Sequence, residues 1–247
     1  MAFNQPSFEA EYLRKQLEKL KSKVVWDEKF TGKFQVFRDR VHAGELLASL
    51  IGLGKLPGGM VLAIPNGGIP VGITVARRLN LGFDLAICRK LQIPWNTEAG
   101  FGAIAPDGST ILNRRLVEHL GLDRETIEKQ KAKALRQILE RERLFRGGEA
   151  RPNLRGLPVL LVDDGLASGY TMLAAVRYAV SLGASKVFVG VPTASPGALS
   201  LVAGEVEKIY CVNVRSDLLG FAVADAYEHW YDLSDEEALA WLRKFKG

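Results

Sequence analysis

The chain has 247 residues, 47% of them hydrophobic and 25% charged, with a formal net charge of +5. That length accommodates one large α/β domain, or one domain with an appendage, around a substantial core. No apolar run reaches transmembrane length and the first residues lack the basic and apolar regions of a secretory signal, so a cytoplasmic location is expected.

Cys88 and Cys211 each close an apolar, strand-like run and are expected as buried thiols; neither has a Cys or His nearby at metal-ligand spacing, so no zinc site is expected. The positive surplus suits a small polyanionic ligand and gives only weak support for nucleic-acid binding.

In chain order, residues 7–23 place Ser7 to cap a helix on which Phe8, Tyr12, Leu13, Leu17 and Leu20 recur at helical spacing. Its polar face carries both signs of charge, which fits a surface helix packed on the body or on a partner subunit better than a membrane-binding one. A second helix is expected over 41–51 and the first core strand over 60–64. Pro65-Asn66-Gly67-Gly68 follows, then a helix with Val71, Val75, Ala76 and Leu79 on one face. Paired glycines between strand and helix let the backbone approach a ligand closely, although the same turn also serves as a plain connector.

A strand over 83–88 is expected to end in Arg89-Lys90, a basic pair at the strand end where open α/β sheets bind ligands. Adjacent strand residues face opposite ways, so only one of the two would aim into such a site. Residues 92–109 are too long and too rich in Gly and Pro for a routine connection, and a lid or binding loop is expected. Within it, Gly100-Phe-Gly-Ala-Ile-Ala follows a loop and not a strand, so it is not read as a dinucleotide fingerprint.

A short strand near 110–112 precedes a long helix over 123–146, with Asp123 as N-cap and Gly147-Gly148 as its stop. Its charges of both signs read as a solvated face. Residues 159–171 drive an apolar strand into Asp163-Asp164, then a small-residue turn and a helical run through Met172, Ala175, Val176 and Ala179. Such a loop presents backbone N–H groups to an anion, and the two carboxylates suit sugar hydroxyls or Mg²⁺. A ligand that needs all these parts is a sugar phosphate carrying a diphosphate. Strands over 186–191 and 208–212 flank a turn at 192–196 and a short helix. Residues 213–234 hold Phe221, Tyr227, His229, Trp230 and Tyr231, and a last helix begins at Asp235-Glu-Glu.

Alternating strands and helices predict a three-layer α/β/α fold around a mainly parallel sheet. The loops at 65–68 and 163–171 leave C-terminal strand ends, and they share one crevice if their strands are neighbours where the winding reverses. The chain has no G-x-x-x-x-G-K-[ST] phosphate loop and no G-x-S-x-G elbow, which argues against a P-loop ATPase and against Ser168 as a hydrolase nucleophile.

Residues 160–171, Leu-Leu-Val-Asp-Asp-Gly-Leu-Ala-Ser-Gly-Tyr-Thr, closely resemble the ribose-phosphate signature of type I phosphoribosyltransferases, and the order of the other elements agrees from about residue 34 to residue 237. Phe37-Arg-Asp-Arg, Pro65-Asn-Gly-Gly, Arg89-Lys90 and Pro94-Trp-Asn-Thr-Glu with Gly102-Ala103 look like a less characterised bacterial and archaeal branch. The resemblance divides the chain into an N-terminal helical extension at 1–33 and a phosphoribosyltransferase-like domain at 34–247, with a base-covering hood at about 192–234.

The resemblance implies a Mg²⁺-dependent transfer of ribose 5-phosphate from phosphoribosyl diphosphate to a nitrogen acceptor of the nucleobase class, with release of diphosphate. It implies that Asp163 and Asp164 hold the ribose hydroxyls, directly or around Mg²⁺. The 5-phosphate would lie on the N–H groups of Ala167, Ser168, Gly169, Tyr170 and Thr171 and on the Ser168 and Thr171 hydroxyls. Asn66, Gly67 and Gly68 would form the diphosphate loop, Arg89 or Lys90 would neutralise the leaving group, and the 92–109 loop would close over the reaction.

A homodimer is also implied, for which the 7–23 helix offers an interface, with no membrane partner. Tyr170 stands where many members carry Gly. Ala167 stands where 6-oxopurine transferases carry an acid, which disfavours hypoxanthine and guanine. The aromatics of 213–234 are candidates to stack on a base and equally candidates for the core. A second reading keeps the fold as a non-catalytic phosphoribosyl-diphosphate-binding regulator of nucleotide metabolism.

Overall fold

The computed structural model describes residues 8–53 and 59–246 and places an all-parallel six-stranded sheet in the middle layer. Across it run β1 (Val24–Trp26), β9 (Lys208–Val214), β8 (Lys186–Ala194), β7 (Pro158–Val162), β2 (Met60–Ala63) and β3 (Gly82–Leu85). Side chains alternate between the faces of a strand, so the continuous apolar runs of β2 and β7 need cover on both sides. Val61, Leu160 and Val162 pack with Leu47 and Ile51 of α2 (Arg40–Leu53) and with Val71 and Val75 of α3 (Gly68–Leu79). Leu62, Val159 and Leu161 pack with Met172, Ala175, Val176 and Ala179 of α6 (Tyr170–Ser181). The expected three-layer α/β/α architecture is therefore present.

The N-terminal segment does more than add a helix. α1 (Phe8–Leu20) buries Leu13 and Leu17, and β1 extends the sheet edge by pairing Val24 with Ile209 and Trp26 with Cys211. The three-residue β1 was too short to be read from periodicity. Ser7, the expected cap, lies outside the described residues.

Residues 92–109 do not form the expected lid loop. β4 (Arg89–Ile93), β5 (Asn96–Ile104) and β6 (Thr110–Leu112) make a separate antiparallel sheet. Its apolar residues Leu91 and Phe101 share a core with Ile138 and Phe145 of α5 (Arg124–Arg146) and Ala238 and Leu242 of α8 (Asp235–Lys246). The glycines that read as loop signals instead allow close strand approach: a Cβ on Gly102 would stand 2.2 Å from the Ile111 carbonyl oxygen. β3 stops at Leu85, so Arg89 and Lys90 open β4 and do not end a parallel strand.

Two other expectations shift by local chemistry. β8 continues through the expected 192–196 turn to Ala194, the ladder skipping Pro192, which has no N–H to donate. Ser195 then caps α7 (Pro196–Ala203) by accepting from Ala198 N. A short helix α4 (Arg114–His119), capped by Asn113, was not anticipated. Asp123 caps α5 as expected. Cys88 and Cys211 are buried free thiols.

Tyr178 on α6 is fully buried, and its hydroxyl has no hydrogen-bond partner among the described residues. Burial pushes its phenol from the ordinary 10.0 up to about 12. A phenol held more tightly in the folded chain contributes its full stability below pH 10 and loses it as pH rises toward 12. Tyr178→Phe is therefore expected to be neutral or stabilising by about 1 kcal/mol at neutral pH. It should also flatten the fall in melting temperature above pH 10, which thermal melts across pH will read.

Candidate functional site

β2 and β7 are neighbours, with Ala63 opposite Val162, and the chain winds away from this pair in opposite directions. The two loops that leave these strands therefore meet at the switch in winding, where doubly wound sheets bind ligands. Ile64 N donates to the Val162 carbonyl at 2.8 Å, which carries the register one residue past the strands. The Pro65–Asn66 peptide is cis. Gly67 and Gly68 then pass directly over the acids: a Cβ on Gly67 would lie 1.8 Å from Asp164 Oδ2, and one on Gly68 would lie 2.8 Å from the Val162 oxygen. No side chain fits at either position.

The acids are held from the opposite side. Arg40, at the start of α2, donates from Nε to Asp164 Oδ2 at 2.9 Å and from Nη1 to the Tyr231 carbonyl at 3.0 Å. Its guanidinium lies over the Trp230 ring, 4.2 Å from the centroid. Tyr227 donates its hydroxyl to the Asp164 carbonyl at 2.6 Å and packs between Phe37 and Trp230. Burial and the neighbouring Asp164 carboxylate push Asp163 well above the usual carboxylate range. Burial also raises Asp164, and Arg40 offsets part of that rise.

Beyond Asp164 the chain turns through 165–169. Leu166 N donates to the Thr193 carbonyl at 2.9 Å, and Ser195 Oγ donates to the Ala167 carbonyl at 3.1 Å, which fix the loop to the end of β8. Gly169 caps α6 at φ +83°, a conformation closed to most residues, and offers no side chain to the first helical N–H groups. Those groups are left to solvent or to an anion. Ala167 and Ser168 are exposed.

A cleft of about 560 Å³ collects Asn66, Gly67, Arg89, Lys90, Asp163, Asp164 and Thr171, together with Arg40, Arg141, Trp230 and Leu233. Gly68 lies beneath it, and Ala167, Ser168, Gly169 and Tyr170 do not line it. Both Arg89 and Lys90 reach the cleft, where only one was expected to. Arg89 donates to Gln137 Oε1 of α5 at 2.9 Å. Burial and the nearby Arg141 guanidinium pull Arg89 below its ordinary value. Asn66 donates through Nδ2 to the Leu233 carbonyl (2.9 Å) and to Asp235 Oδ1 (2.8 Å). Cys88 also lines the cleft, but burial pushes its thiol up, which leaves it inert.

Sequence reasoning assigned no role to Arg40 or Arg141, offered Trp230 only for base stacking or the core, and read Asp235 only as a first-turn acid of the last helix. Arg40 sits in the Phe37-Arg-Asp-Arg stretch, which carried a signal of family and none of role. Arg141 is one of many charges on α5, and only the fold turns it inward.

An all-parallel sheet with a glycine loop, an acid pair and a helix N-terminus at its winding switch places this chain among doubly wound α/β proteins, in which that position is where ligands bind. The family model of the phosphoribosyl transferase domain matches residues 42–203. The chain belongs to this family. Two Mycobacterium tuberculosis proteins whose names carry the words phosphoribosyl transferase, MT0597 (strain CDC 1551 / Oshkosh) and Rv0571c (strain H37Rv), are 35% identical over 208 residues, 84% of this chain and 46% of theirs. The chain thus spans about half the length of these curated relatives. The crystal structure of TT1426 from Thermus thermophilus is 32% identical, covers 85% of this chain and 99% of that one, and superposes with a TM-score of 0.69. No helix among the described residues is long and apolar enough to cross a membrane.

Proposed function

We propose that this chain transfers ribose 5-phosphate from phosphoribosyl diphosphate to a nitrogen acceptor, releasing diphosphate. The observation that carries this reading is the packing of Gly67 and Gly68 onto Asp163 and Asp164, which joins a diphosphate loop to a ribose site in one cleft. Asp163 and Asp164 would hold the ribose hydroxyls, the 167–171 loop the 5-phosphate, and Asn66 with Gly67 the diphosphate. Arg89 and Lys90 border the end where the leaving group would gather charge. The curated ribose-phosphate pyrophosphokinase of Saccharolobus solfataricus, 31% identical over 114 residues, has by its name a related ligand.

The donor set suits a shared Mg²⁺ and not a closed cage. Among the described residues no group of three or more His, Cys, Asp or Glu could hold a metal, and one oxygen of Asp164 already accepts from Arg40. Mg²⁺ keeps several waters and is commonly bound through one or two carboxylates plus substrate oxygens. Bound there, it would supply charge for the departing diphosphate. The chain itself contributes positioning: Arg40 orients Asp164, and the two loops would hold the diphosphate on C1 and the phosphate on C5 of the ribose. Residues 192–234 would be the hood, and the cytoplasm and a homodimer are the proposed setting.

Titration calorimetry with phosphoribosyl diphosphate and Mg²⁺ is expected to show binding that the double variant Asp163→Asn, Asp164→Asn loses. No binding by the unmutated protein would sink the reading. A diphosphate-release screen across purines, pyrimidines, nicotinate-like bases and amines then identifies the acceptor. Binding without release on any of them would favour a regulator over an enzyme. Ala167 leads us to expect less turnover with hypoxanthine or guanine than with other acceptors.

A further inference from the structure

Three cationic residues, Arg89, Lys90 and Arg141, line the cleft. The carboxylate that meets Arg141 there comes from the protein itself. Asp235, the first residue of α8, accepts from Arg141 Nη2 at 2.7 Å through one oxygen and from Nε at 3.3 Å through the other. Asp235 Oδ1 also accepts from Asn66 Nδ2 at 2.8 Å. One acid therefore occupies donors of both the diphosphate loop and α5.

Building on the function proposed above, we infer that Arg141 is a diphosphate-binding residue, and that Asp235 is an internal counter-anion which the diphosphate displaces from it. A guanidinium fork engages a phosphate with the same two-point geometry it uses on a carboxylate. Diphosphate offers more charge and more acceptor oxygens than one aspartate. The carboxylates that line the cleft are engaged elsewhere or exposed: Asp164 is paired with Arg40, Asp163 accepts from Asp164 N, and Asp232 is exposed. Burial first, and then the nearby Arg141 guanidinium, lower Arg89, a cost that an incoming polyanion would relieve.

Asp235 is also free to leave without unravelling α8. Its side chain is 34% exposed. The start of the helix is closed by another pair, Glu237 N donating to Ser234 Oγ (3.2 Å) and Ser234 N donating to Glu237 Oε2 (2.9 Å). The Asp235 carboxylate is thus surplus to capping and is held by Arg141 and Asn66, which line the cleft while Asp235 itself does not.

The test compares the two halves of the ligand, inorganic diphosphate and ribose 5-phosphate, by calorimetry in Mg²⁺ buffer. Asp235→Asn keeps the shape and removes the charge, and is expected to bind diphosphate roughly tenfold more tightly with ribose 5-phosphate unchanged. Arg141→Gln is expected to weaken diphosphate by roughly tenfold, again with ribose 5-phosphate unchanged. In the double variant the gain from Asp235→Asn should vanish, because there is no guanidinium left to release. A change that falls equally on both ligands, no change, or a gain that persists without Arg141 would overturn the inference while the proposed function stands. An unmutated protein that binds neither ligand overturns both.

Discussion

Arg40→Met is expected to lower the melting temperature by about 6–12 °C at pH 7.5, and by clearly less at pH 4.5. The side chain is nearly isosteric but leaves Asp164 buried beside Asp163 without its partner, a loss of about 3 kcal/mol for a broken buried pair. Burial already raises Asp164 above the ordinary 3.8, and Arg40 is the largest influence that opposes it. Without Arg40 the folded-state value climbs further while the unfolded value stays. The folded chain then binds more protons than the unfolded one as pH rises from about 4 upward, and stability falls through that window. In acid the folded Asp164 takes up a proton whether or not Arg40 is present, so the difference between the two proteins shrinks. Thermal melts of both proteins at the two pH values decide the matter. Equal losses would show that Arg40 acts by packing on Trp230 and not by charge. Arg40→Lys keeps the charge but loses the second donor to Tyr231 and the planar contact with Trp230, so an intermediate loss is expected.

Arg40 also shows where the sequence stops being readable. The strands β2 and β7, the acid pair and the Gly67-Gly68 turn follow from local rules: apolar runs, small-residue turns, and the helical periodicity after them. Their convergence followed from topology once β2 and β7 were neighbours. The residues that orient the site obey no local rule. Arg40 reaches Asp164 across 124 positions, Asn66 reaches Asp235 across 169, and Arg141 meets Asp235 across 94. Such contacts are set by tertiary packing, and nothing in the spacing of charges on α5 marks Arg141 out. The 92–109 stretch failed for a related reason. Gly and Pro read as signs of a lid or binding loop, whereas Gly100 and Gly102 are there because neighbouring strands leave no room for a Cβ. Absence of a side chain has two physical causes, freedom and crowding, and composition alone does not separate them. The aromatics of 213–234 divide similarly: Tyr227 and Trp230 build the wall behind Arg40, while Tyr231 is exposed.

Crowding of this kind makes Gly67→Ala the most informative single methyl group in the chain. The new Cβ would sit 1.8 Å from Asp164 Oδ2 and 2.4 Å from its Cγ, distances no real contact reaches. Asp164 cannot simply swing aside, because Arg40 holds its carboxylate and Tyr227 holds its backbone carbonyl. Either the 65–68 loop lifts off the acids or the Arg40 pair breaks, and both routes separate the loop proposed for the diphosphate from the acids proposed for the ribose. We expect a stability loss of about 1–3 kcal/mol, the usual cost of overpacking. Phosphoribosyl diphosphate affinity should fall by roughly a hundredfold, the equivalent of about 2.8 kcal/mol. Gly204→Ala supplies the control: that position has φ −70° with open space around its Cβ, so it should be neutral or slightly stabilising and leave binding untouched. Calorimetry and thermal melts on both variants separate the two effects. If Gly67→Ala retains full affinity, the loop and the acids are not one site, because a methyl group that must push them apart would have left the ligand indifferent.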